Sequence, residues 1–269
     1  MHTDTPTNVR RAGRPLVGRL ALACCLFLAA CGGGADDDAS SPSAVPTTAA
    51  PPQAQTAPTV STAPPGTAEV GVLVAHATVP TLEVFDAPDG TGAPARALAN
   101  PTEVGGPLVF LVEEERDEWL HVLLPVRPNG STGWIRRADV ELRHNPYSIV
   151  VELGAHRITV SRADEVVAQE PIGVGTGDTP TPGGRYYLKE LLRPPDPNGA
   201  YGPYAYGLSG FSEVLTSFAN GEGVIGIHGT NDPSSIGRDV SHGCIRLHND
   251  AITRLVEYLP LGTPVEIRA

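Results

Sequence analysis

The sequence predicts a mainly β protein, in which a small β module precedes a larger β domain with one clear helix near the C-terminus. The chain has 30 glycines and 27 prolines in 269 residues, which favours strands and turns over long helices. From residue 68 onward, short apolar runs alternate with clusters of Gly, Pro, Asn and Asp, the pattern of strands joined by turns. One stretch, residues 250–259, has the apolar spacing of an amphipathic helix.

The first thirty residues have the features of an export signal. Four arginines precede an apolar run over residues 20–30, which has the length of a signal-peptide core and is too short to span a bilayer. The run ends in Leu-Ala-Ala before Cys31 and three glycines, which resembles a bacterial lipobox. We predict a signal peptide over residues 1–30 and lipidation of Cys31. The alternative is an ordinary secretory signal in which Cys31 is incidental.

These features predict an exported protein that is lipid-anchored on the outer face of the cytoplasmic membrane. After Cys31, residues 32–67 are rich in Ala, Pro, Thr and Ser and show no apolar periodicity, so we predict a disordered linker over residues 31–67. Extended, such a linker spans on the order of 100 Å. The formal net charge is −11, which argues against nucleic acid as a partner because phosphates repel an acidic surface.

Residues 68–143 are predicted to form an SH3-like β module. The apolar runs predict strands at 70–75, 81–85, 108–113, 119–124, 132–135 and 140–142. The exit strand Gly-Trp-Ile-Arg, which contains Trp134, is the main basis for the resemblance. The module either binds the cell wall or positions substrate, or it serves as a rigid support. We interpret Trp119 and Trp134 as core residues, because large aromatic side chains mostly pack.

Residues 146–269 are predicted to form the second domain, after a boundary at the His-Asn-Pro that begins at residue 144. Strands are predicted at 148–153, 156–162, 165–174, 185–192, 224–228 and 264–268. Residues 175–184 are too rich in Gly, Pro and Thr to be regular structure. Asn249 is a candidate N-cap for the helix at residues 250–259.

Cys244 is the only cysteine beyond residue 31, so within the folded part it has no disulfide partner. It lies in Ser-His-Gly-Cys-Ile-Arg, and a second His-Gly pair begins at His228. A free thiol is mostly protonated at neutral pH and needs a base to become a nucleophile. His228 and His242 are both candidates, and local spacing does not decide between them. This pattern indicates a catalytic cysteine.

Other residues near Cys244 have chemistry that suits an acyl-transfer site. The carbonyl of Gly229 can fix the tautomer of His228, and backbone N–H groups around Gly243 can hold an oxyanion. In a strand, Arg246 shares the face of Cys244 and can bind a substrate carboxylate. The alternative for Arg246 is an ordinary surface arginine.

A zinc site is a competing interpretation of the same histidines. His228, His242, Cys244 and His248 together offer three nitrogens and one sulfur. Their spacings match no common zinc motif, and three ligands within seven residues give poor tetrahedral geometry. We therefore predict no metal and no cofactor, and we interpret His248 as structural.

The sequence from residue 227 to residue 249, with its His-Gly and Ser-His-Gly-Cys blocks, resembles the signature of the L,D-transpeptidase (YkuD-type) family. The Thr-Pro-Thr-Pro-Gly-Gly loop at residues 179–184 also matches, and the resemblance covers residues 146–269. It implies an L,D-transpeptidase-type β-sandwich in which Cys244 is the nucleophile and His228 the base, oriented by Gly229. It further implies that Ser241 and His242 line the site, that Gly243 and Cys244 hold the oxyanion, and that Arg246 recognises substrate.

The implied reaction joins peptidoglycan stem peptides. Cys244 would form a thioester with a donor stem and pass it to an amine on an acceptor stem, giving a 3→3 cross-link. Carbapenem-type β-lactams would acylate the same thiol. The family's variable substrate lid falls between residues 191 and 220, where no residue role can be transferred. Two alternatives remain: an L,D-carboxypeptidase that hydrolyses the thioester, and a non-catalytic wall-binding lipoprotein.

Overall fold

The computed structural model describes residues 71–217 and 221–269, which form a mainly β structure. The predicted signal peptide, the lipidated Cys31 and the linker lie outside these described residues. In the described part of the chain, no helix is long and apolar enough to cross a membrane.

The first seven strands form one five-stranded sheet and one two-stranded ribbon. In chain order they are β1 (Val72–Ala77), β2 (Thr81–Val84), β3 (Arg96–Ala99), β4 (Val109–Arg116), β5 (Trp119–Leu123), β6 (Thr132–Arg136) and β7 (Val140–Asn145). The antiparallel sheet, here called the N-terminal sheet, has the order β6-β5-β4-β1-β7, and β2 pairs with β3. Trp134 is buried beside the ring of His121, and the partly buried Trp119 meets Phe85 edge-on. The tryptophans therefore contribute to packing.

The remaining strands form a larger mixed sheet. They are β8 (Tyr147–Glu152), β9 (Arg157–Arg162), β10 (Glu165–Pro171), β11 (Val174–Gly175), β12 (Gly184–Leu192), β13 (Ala205–Phe211), β14 (Val224–His228), β15 (Asp239–Ser241), β16 (Ile245–Arg246) and β17 (Pro264–Arg268), with α1 (Asn249–Val256) before the last. The eight-stranded order is β10-β9-β8-β17-β12-β13-β14-β16, and β11 pairs with β15. The pairs β8–β17, β14–β16 and β11–β15 are parallel.

The core of the larger sheet follows from the alternation of apolar residues along its strands. Ile149 and Val151 of β8 are buried next to Val265 and Ile267 of β17. Alternate side chains of a strand point to the same face, so these pairs build one continuous apolar layer. The helix α1 adds its buried residues to that layer.

The helix differs from its prediction at both ends. It begins at Asn249, with His248 as the N-cap residue, so the prediction that Asn249 caps it is wrong. The side-chain oxygen of Asn249 instead accepts a 2.8 Å hydrogen bond from the N–H of Thr230. The helix ends at Val256, where the chain turns. The N–H of Tyr258 then bonds to the carbonyl of Leu255, three residues earlier, instead of four residues earlier as in an α-helix.

The strand predictions hold best where apolar runs are bounded by turns: β14 and β17 have the predicted limits. β3 and β13 were not predicted. β13 lies inside the segment assigned to a variable lid, yet it is an interior strand of the larger sheet. Glycines weaken the strand pattern of β13, so the sequence did not predict it. They are needed because a Cβ on Gly207 would lie 2.3 Å from the side chain of Glu190, and a Cβ on Gly210 would lie 2.3 Å from that of Tyr186.

The N-terminal sheet packs directly against the larger sheet. Tyr187 of β12 is fully buried in a cluster with Val74, Val109, Leu111 and Leu123 of the N-terminal sheet. Between β5 and β6, Arg127 donates hydrogen bonds to three backbone carbonyls, those of Ser212, Leu215 and Glu222, at 2.8, 3.1 and 2.9 Å. Nearby, Asn129 exchanges two 2.8 Å hydrogen bonds with the backbone of Phe211.

Candidate active site

Cys244 lies immediately before β16, at the edge of the larger sheet. The neighbouring strand β14 runs parallel to β16, with Ile227 opposite Ile245 and His228 opposite Arg246. The N–H of Gly226 donates a 3.4 Å hydrogen bond to the Cys244 sulfur. The thiol is partly exposed and lines a cleft of about 970 Å³.

His228 is the last residue of β14, and it lines the same cleft. Its side chain is buried, and Nδ1 lies 2.5 Å from the carbonyl oxygen of Gly229. A carbonyl oxygen only accepts hydrogen bonds, so Nδ1 carries the hydrogen and Nε2 carries the lone pair. His228 can therefore accept a proton at Nε2.

Cys244 and His228 both lie close to Gly226. A Cβ placed on Gly226 would lie 3.9 Å from the Cys244 sulfur and 3.9 Å from Cδ2 of His228, which is ordinary van der Waals contact with each. The sheet therefore brings together the two residues that the sequence singled out, although sixteen positions separate them.

The site favours the neutral forms of both groups. Burial lowers the pKa of His228 to about 4, helped by the positive charge of Arg246 and opposed by the hydrogen bond to Gly229. Burial also raises the pKa of the Cys244 thiol above its ordinary value, while the Gly226 N–H and the charge of Arg246 act in the opposite direction. At neutral pH the resting pair is thus a thiol beside a neutral imidazole that is ready to act as a base.

Ser241 and Gly243 shape the loop that carries the thiol. The buried hydroxyl of Ser241 donates a 2.6 Å hydrogen bond to the carbonyl of Cys244 and accepts a 3.1 Å bond from the N–H of Gly243. Gly243 has a φ of +113°, which side chains rarely adopt. The N–H of Gly243 is thus already engaged, which leaves the N–H of Cys244 as the loop donor for an oxyanion. His242 is exposed and is not among the residues that line the cleft.

Thr181 supports the same loop from the Thr-Pro-rich segment between β11 and β12. Its buried hydroxyl donates a 2.8 Å hydrogen bond to the carbonyl of Gly243 and accepts a 2.9 Å bond from the N–H of Gly175. Thr179 donates a longer bond, 3.2 Å, to the carbonyl of Ser241. Sequence reasoning assigned neither threonine a role. The signals were that this segment could not be regular structure and that its Thr-Pro-Thr-Pro-Gly-Gly loop resembles the family.

Arg246 lies beside His228 in the register of β14 and β16. Its charge lowers the pKa of both His228 and Cys244. Its Nε is buried and has no hydrogen-bond partner among the described residues. A buried donor without a partner is costly. Arg246 is not among the residues that line the cleft beside Cys244.

Tyr201 is a further residue of the site. Its ring meets that of His228 edge-on, with centroids 4.9 Å apart. Burial, and secondarily the charge of the Cys244 thiolate, raise the pKa of the Tyr201 hydroxyl. Tyr201 lines the same cleft as the thiol. The following residue, Gly202, packs against the backbone of Gly229. The aromatic residues of this segment were visible in the sequence, but their positions were not.

The histidines considered as a zinc site can also be placed. His248 is the N-cap residue of α1, and its carbonyl accepts a hydrogen bond from the N–H of Ile252. Across residues 71–217 and 221–269, no three His, Cys, Asp or Glu side chains are grouped so as to hold a metal ion.

The fold and the site together define a mainly β protein with a cysteine–histidine pair in an open cleft. The L,D-transpeptidase catalytic domain (YkuD) family matches residues 146–267. Two relatives in Bacillus subtilis strain 168 are named as putative L,D-transpeptidases. YkuD is 40% identical over 122 residues, which are 45% of this chain and 66% of that protein. YqjB is 30% identical over 133 residues, which are 46% of this chain and 71% of that protein.

The chain therefore belongs to the L,D-transpeptidase family. It spans just under two thirds of the length of YkuD, at 66%. Among solved structures, L,D-transpeptidase 3 from Mycobacterium tuberculosis, in complex with a faropenem-derived adduct, is similar at 17% identity. That alignment covers 54% of this chain and 76% of that one, with a TM-score of 0.40.

Proposed function

We propose that this protein is a peptidoglycan L,D-transpeptidase that forms a thioester between Cys244 and a donor stem peptide. The observation that carries the proposal is the placement of Cys244 and His228 beside Gly226, in the lining of one open cleft. The hydrogen bond from Nδ1 to the Gly229 carbonyl leaves Nε2 of His228 able to take the thiol proton. Membership of the L,D-transpeptidase family supports the substrate class.

In the first half-reaction, Nε2 of His228 removes the proton of Cys244 as the sulfur attacks the carbonyl carbon of the donor's diamino acid. A C–S bond forms, and the C–N bond to the terminal D-amino acid breaks. His228 then returns its proton to the departing amine, so the imidazole is neutral again. The pKa of His228, about 4, keeps the base form available at neutral pH.

The tetrahedral intermediate places a negative charge on the former carbonyl oxygen. We assign its stabilisation to the N–H of Cys244, since Ser241 already occupies that of Gly243. The loop is held before the reaction by Ser241 and Thr181, which suits an oxyanion site because its dipoles need no rearrangement. We assign to Arg246 the binding of a donor carboxylate, since its positive charge lies next to His228 in the register of β14 and β16.

In the second half-reaction, an amine of an acceptor stem attacks the thioester and gives a 3→3 cross-link. If water attacks instead, the enzyme is an L,D-carboxypeptidase. Carbapenem-type β-lactams are electrophilic amides, so we expect them to acylate Cys244 by the chemistry of the first step. Signal cleavage and lipidation at Cys31 would hold this site outside the cytoplasmic membrane, where its substrate lies.

The decisive experiment incubates the protein with a carbapenem and measures its mass. The wild type is expected to gain one adduct, which peptide mapping assigns to Cys244. Cys244→Ala is expected to gain none, and His228→Ala to react at least about a hundredfold more slowly, the contribution typical of a positioned base. An adduct of equal yield on Cys244→Ala would overturn the assignment. Incubation with stem tetrapeptides then separates cross-linked dimers from hydrolysed tripeptides.

A further inference from the structure

The cleft that contains the thiol is lined by the larger sheet and by the N-terminal region. The lining includes Cys244, His228 and Glu190 on the side of the larger sheet, and Ala97, Leu98 and Val126 from the N-terminal region. Its volume of about 970 Å³ is at the upper end of the range for ligand sites. The N-terminal region is thus part of the surface that faces a substrate at Cys244.

The strand β3 presents an open edge in this lining. It pairs with β2 and with no other strand of the described chain. Successive residues of a strand point their N–H and C=O groups to alternate sides, so about half of those in β3 are available to a further strand. Ala97 and Ala99 are exposed, and their small side chains leave room for an extended peptide.

Glu190 places a carboxylate on the larger-sheet side of the cleft. Its side chain is only 12% exposed, and its one ion-pair partner in the described chain is Lys189, at 3.9 Å. None of the hydrogen bonds described for this chain involves the carboxylate of Glu190. Its oxygens are not among the buried polar atoms without a partner, so they are accessible from the cleft, where a second cation can approach them.

We propose that β3 and Glu190 form the subsite for the acceptor peptide, which lies extended along β3 and directs its ammonium group to Glu190. This inference rests on the proposed thioester chemistry at Cys244. It separates the two substrates by charge: Arg246 suits the carboxylate of a donor, whereas Glu190 suits the amine of an acceptor. The β2–β3 ribbon of the N-terminal region then takes part in choosing the acceptor.

The transfer step balances as follows. The ammonium held near Glu190 loses one proton to water and becomes a neutral amine. Its nitrogen attacks the thioester carbon, a C–N bond forms, and the C–S bond breaks. The second amine proton passes to Nε2 of His228 and then to the departing sulfur, which restores the Cys244 thiol and the neutral imidazole.

The test measures two rates on the full chain: acylation of Cys244 by a carbapenem, and cross-linking of stem tetrapeptides. Ala97→Trp fills the β3 wall, and Ala95→Trp, at an exposed residue outside the cleft lining, is its matched control. Glu190→Gln removes the carboxylate charge, with the exposed Glu165→Gln as control. Urea unfolding of each variant establishes that the fold is retained.

We expect Ala97→Trp and Glu190→Gln each to lower the ratio of transfer to acylation about tenfold, through a higher KM for the acceptor. The two controls should keep the wild-type ratio. Hydroxylamine, an acceptor without charge at neutral pH, should attack the thioester equally fast in the wild type and in Glu190→Gln.

Two results would overturn the subsite. One is an equal ratio in Ala97→Trp, Ala95→Trp and the wild type, and the other is an unchanged acceptor KM in Glu190→Gln. A wild type that does not acylate Cys244 would instead overturn the proposed function, so the two failures are distinct.

Discussion

The hydroxyl of Thr181 donates a 2.8 Å hydrogen bond to the carbonyl of Gly243, the residue before the thiol. The two residues are 62 positions apart, and the bond ties the Thr-Pro-rich segment to the loop that carries Cys244. It turns the Gly243 carbonyl toward a donor, so the loop has a fixed shape before substrate arrives. The Thr-Pro-rich segment is therefore a structural part of the candidate active site.

Thr181→Val is expected to lower both stability and reactivity. The substitution keeps the shape of the side chain but leaves two buried backbone groups, of Gly243 and Gly175, without a partner, at a cost of about 1–3 kcal/mol. Urea unfolding measures this change, and carbapenem acylation should slow as the loop loosens. Thr159→Val is the control. It removes a hydroxyl that accepts an exposed hydrogen bond from Gln169, and it should change the free energy of unfolding by under about 0.5 kcal/mol. Similar losses in both variants would show that the Thr181 bond has no special role.

The acylation rate should depend on pH through His228. Burial lowers the pKa of His228 to about 4, and only the neutral imidazole accepts the thiol proton. The acid limb should therefore lie near pH 4, well below the ordinary histidine range, with a roughly tenfold loss per pH unit beneath it. Stopped-flow acylation with a carbapenem between about pH 3 and pH 8 measures the limb. A midpoint near about pH 6.5 would mean that burial does not control this histidine.

The same pKa shift predicts how stability depends on pH. The folded-state pKa of His228 lies below its value in the unfolded chain, so the unfolded state binds the proton first as the pH falls. The contribution of His228 to stability is therefore complete above about pH 6.5 and is lost as the pH falls toward about 4. In urea titrations, His228→Gln should show a smaller loss than the wild type over this window. Parallel curves for the two proteins would contradict the linkage.

Tyr187→Phe is expected to stabilise the protein. The Tyr187 hydroxyl is buried without a hydrogen-bond partner in the described chain, so its removal should raise the free energy of unfolding by about 1 kcal/mol. Tyr206→Phe is the matched control with the opposite sign. The hydroxyl of Tyr206 donates a 2.9 Å bond to the carbonyl of Leu259, and losing it should cost about 1 kcal/mol. Urea unfolding measures the free energy of unfolding of both variants. If Tyr187→Phe loses stability as Tyr206→Phe does, the Tyr187 hydroxyl is not an unsatisfied group.

Arg246→Gln should change the KM for the donor and the pKa values of His228 and Cys244. The charge of Arg246 lowers the pKa of His228 and that of Cys244, so its removal should raise both. The acid limb of acylation then moves to higher pH, and the KM for a carboxylate-bearing donor rises about tenfold. Arg254→Gln, which removes an exposed arginine paired with Asp250 and Glu170, is the control and should change neither. An unshifted acid limb in Arg246→Gln would contradict this account.

The sequence predicted the strands with strong apolar runs and singled out both partners of the cysteine–histidine pair. Spacing alone left the choice between His228 and His242 open, because that choice depends on how β14 and β16 pair. Their parallel register puts His228 beside Arg246, while His242 stays exposed in the preceding loop. His228 was favoured by its place at the end of a predicted strand, by the carbonyl of Gly229 after it, and by the resemblance to a family.

Other parts of the site depend on contacts that local patterns do not encode. Thr181 bonds to Gly243 across 62 positions in the sequence. Tyr201 contacts His228 from a loop, and the length of that loop does not predict which residue the ring will contact. The strand β13 was missed because its glycines weaken any propensity for a strand, although neighbouring side chains require them. These features follow from tertiary packing, which overrides local preference.

Arg127 joins two parts of the chain that a division by sequence would separate. One guanidinium from the N-terminal region satisfies three carbonyl oxygens between Ser212 and Glu222. A chain cut at residue 146 would remove that donor and uncover the ring of Tyr187 at the same time. Residues 146–269, which include the family match, therefore do not supply every contact of their own surface: without the N-terminal region they lack the donor that Arg127 provides to three carbonyl oxygens.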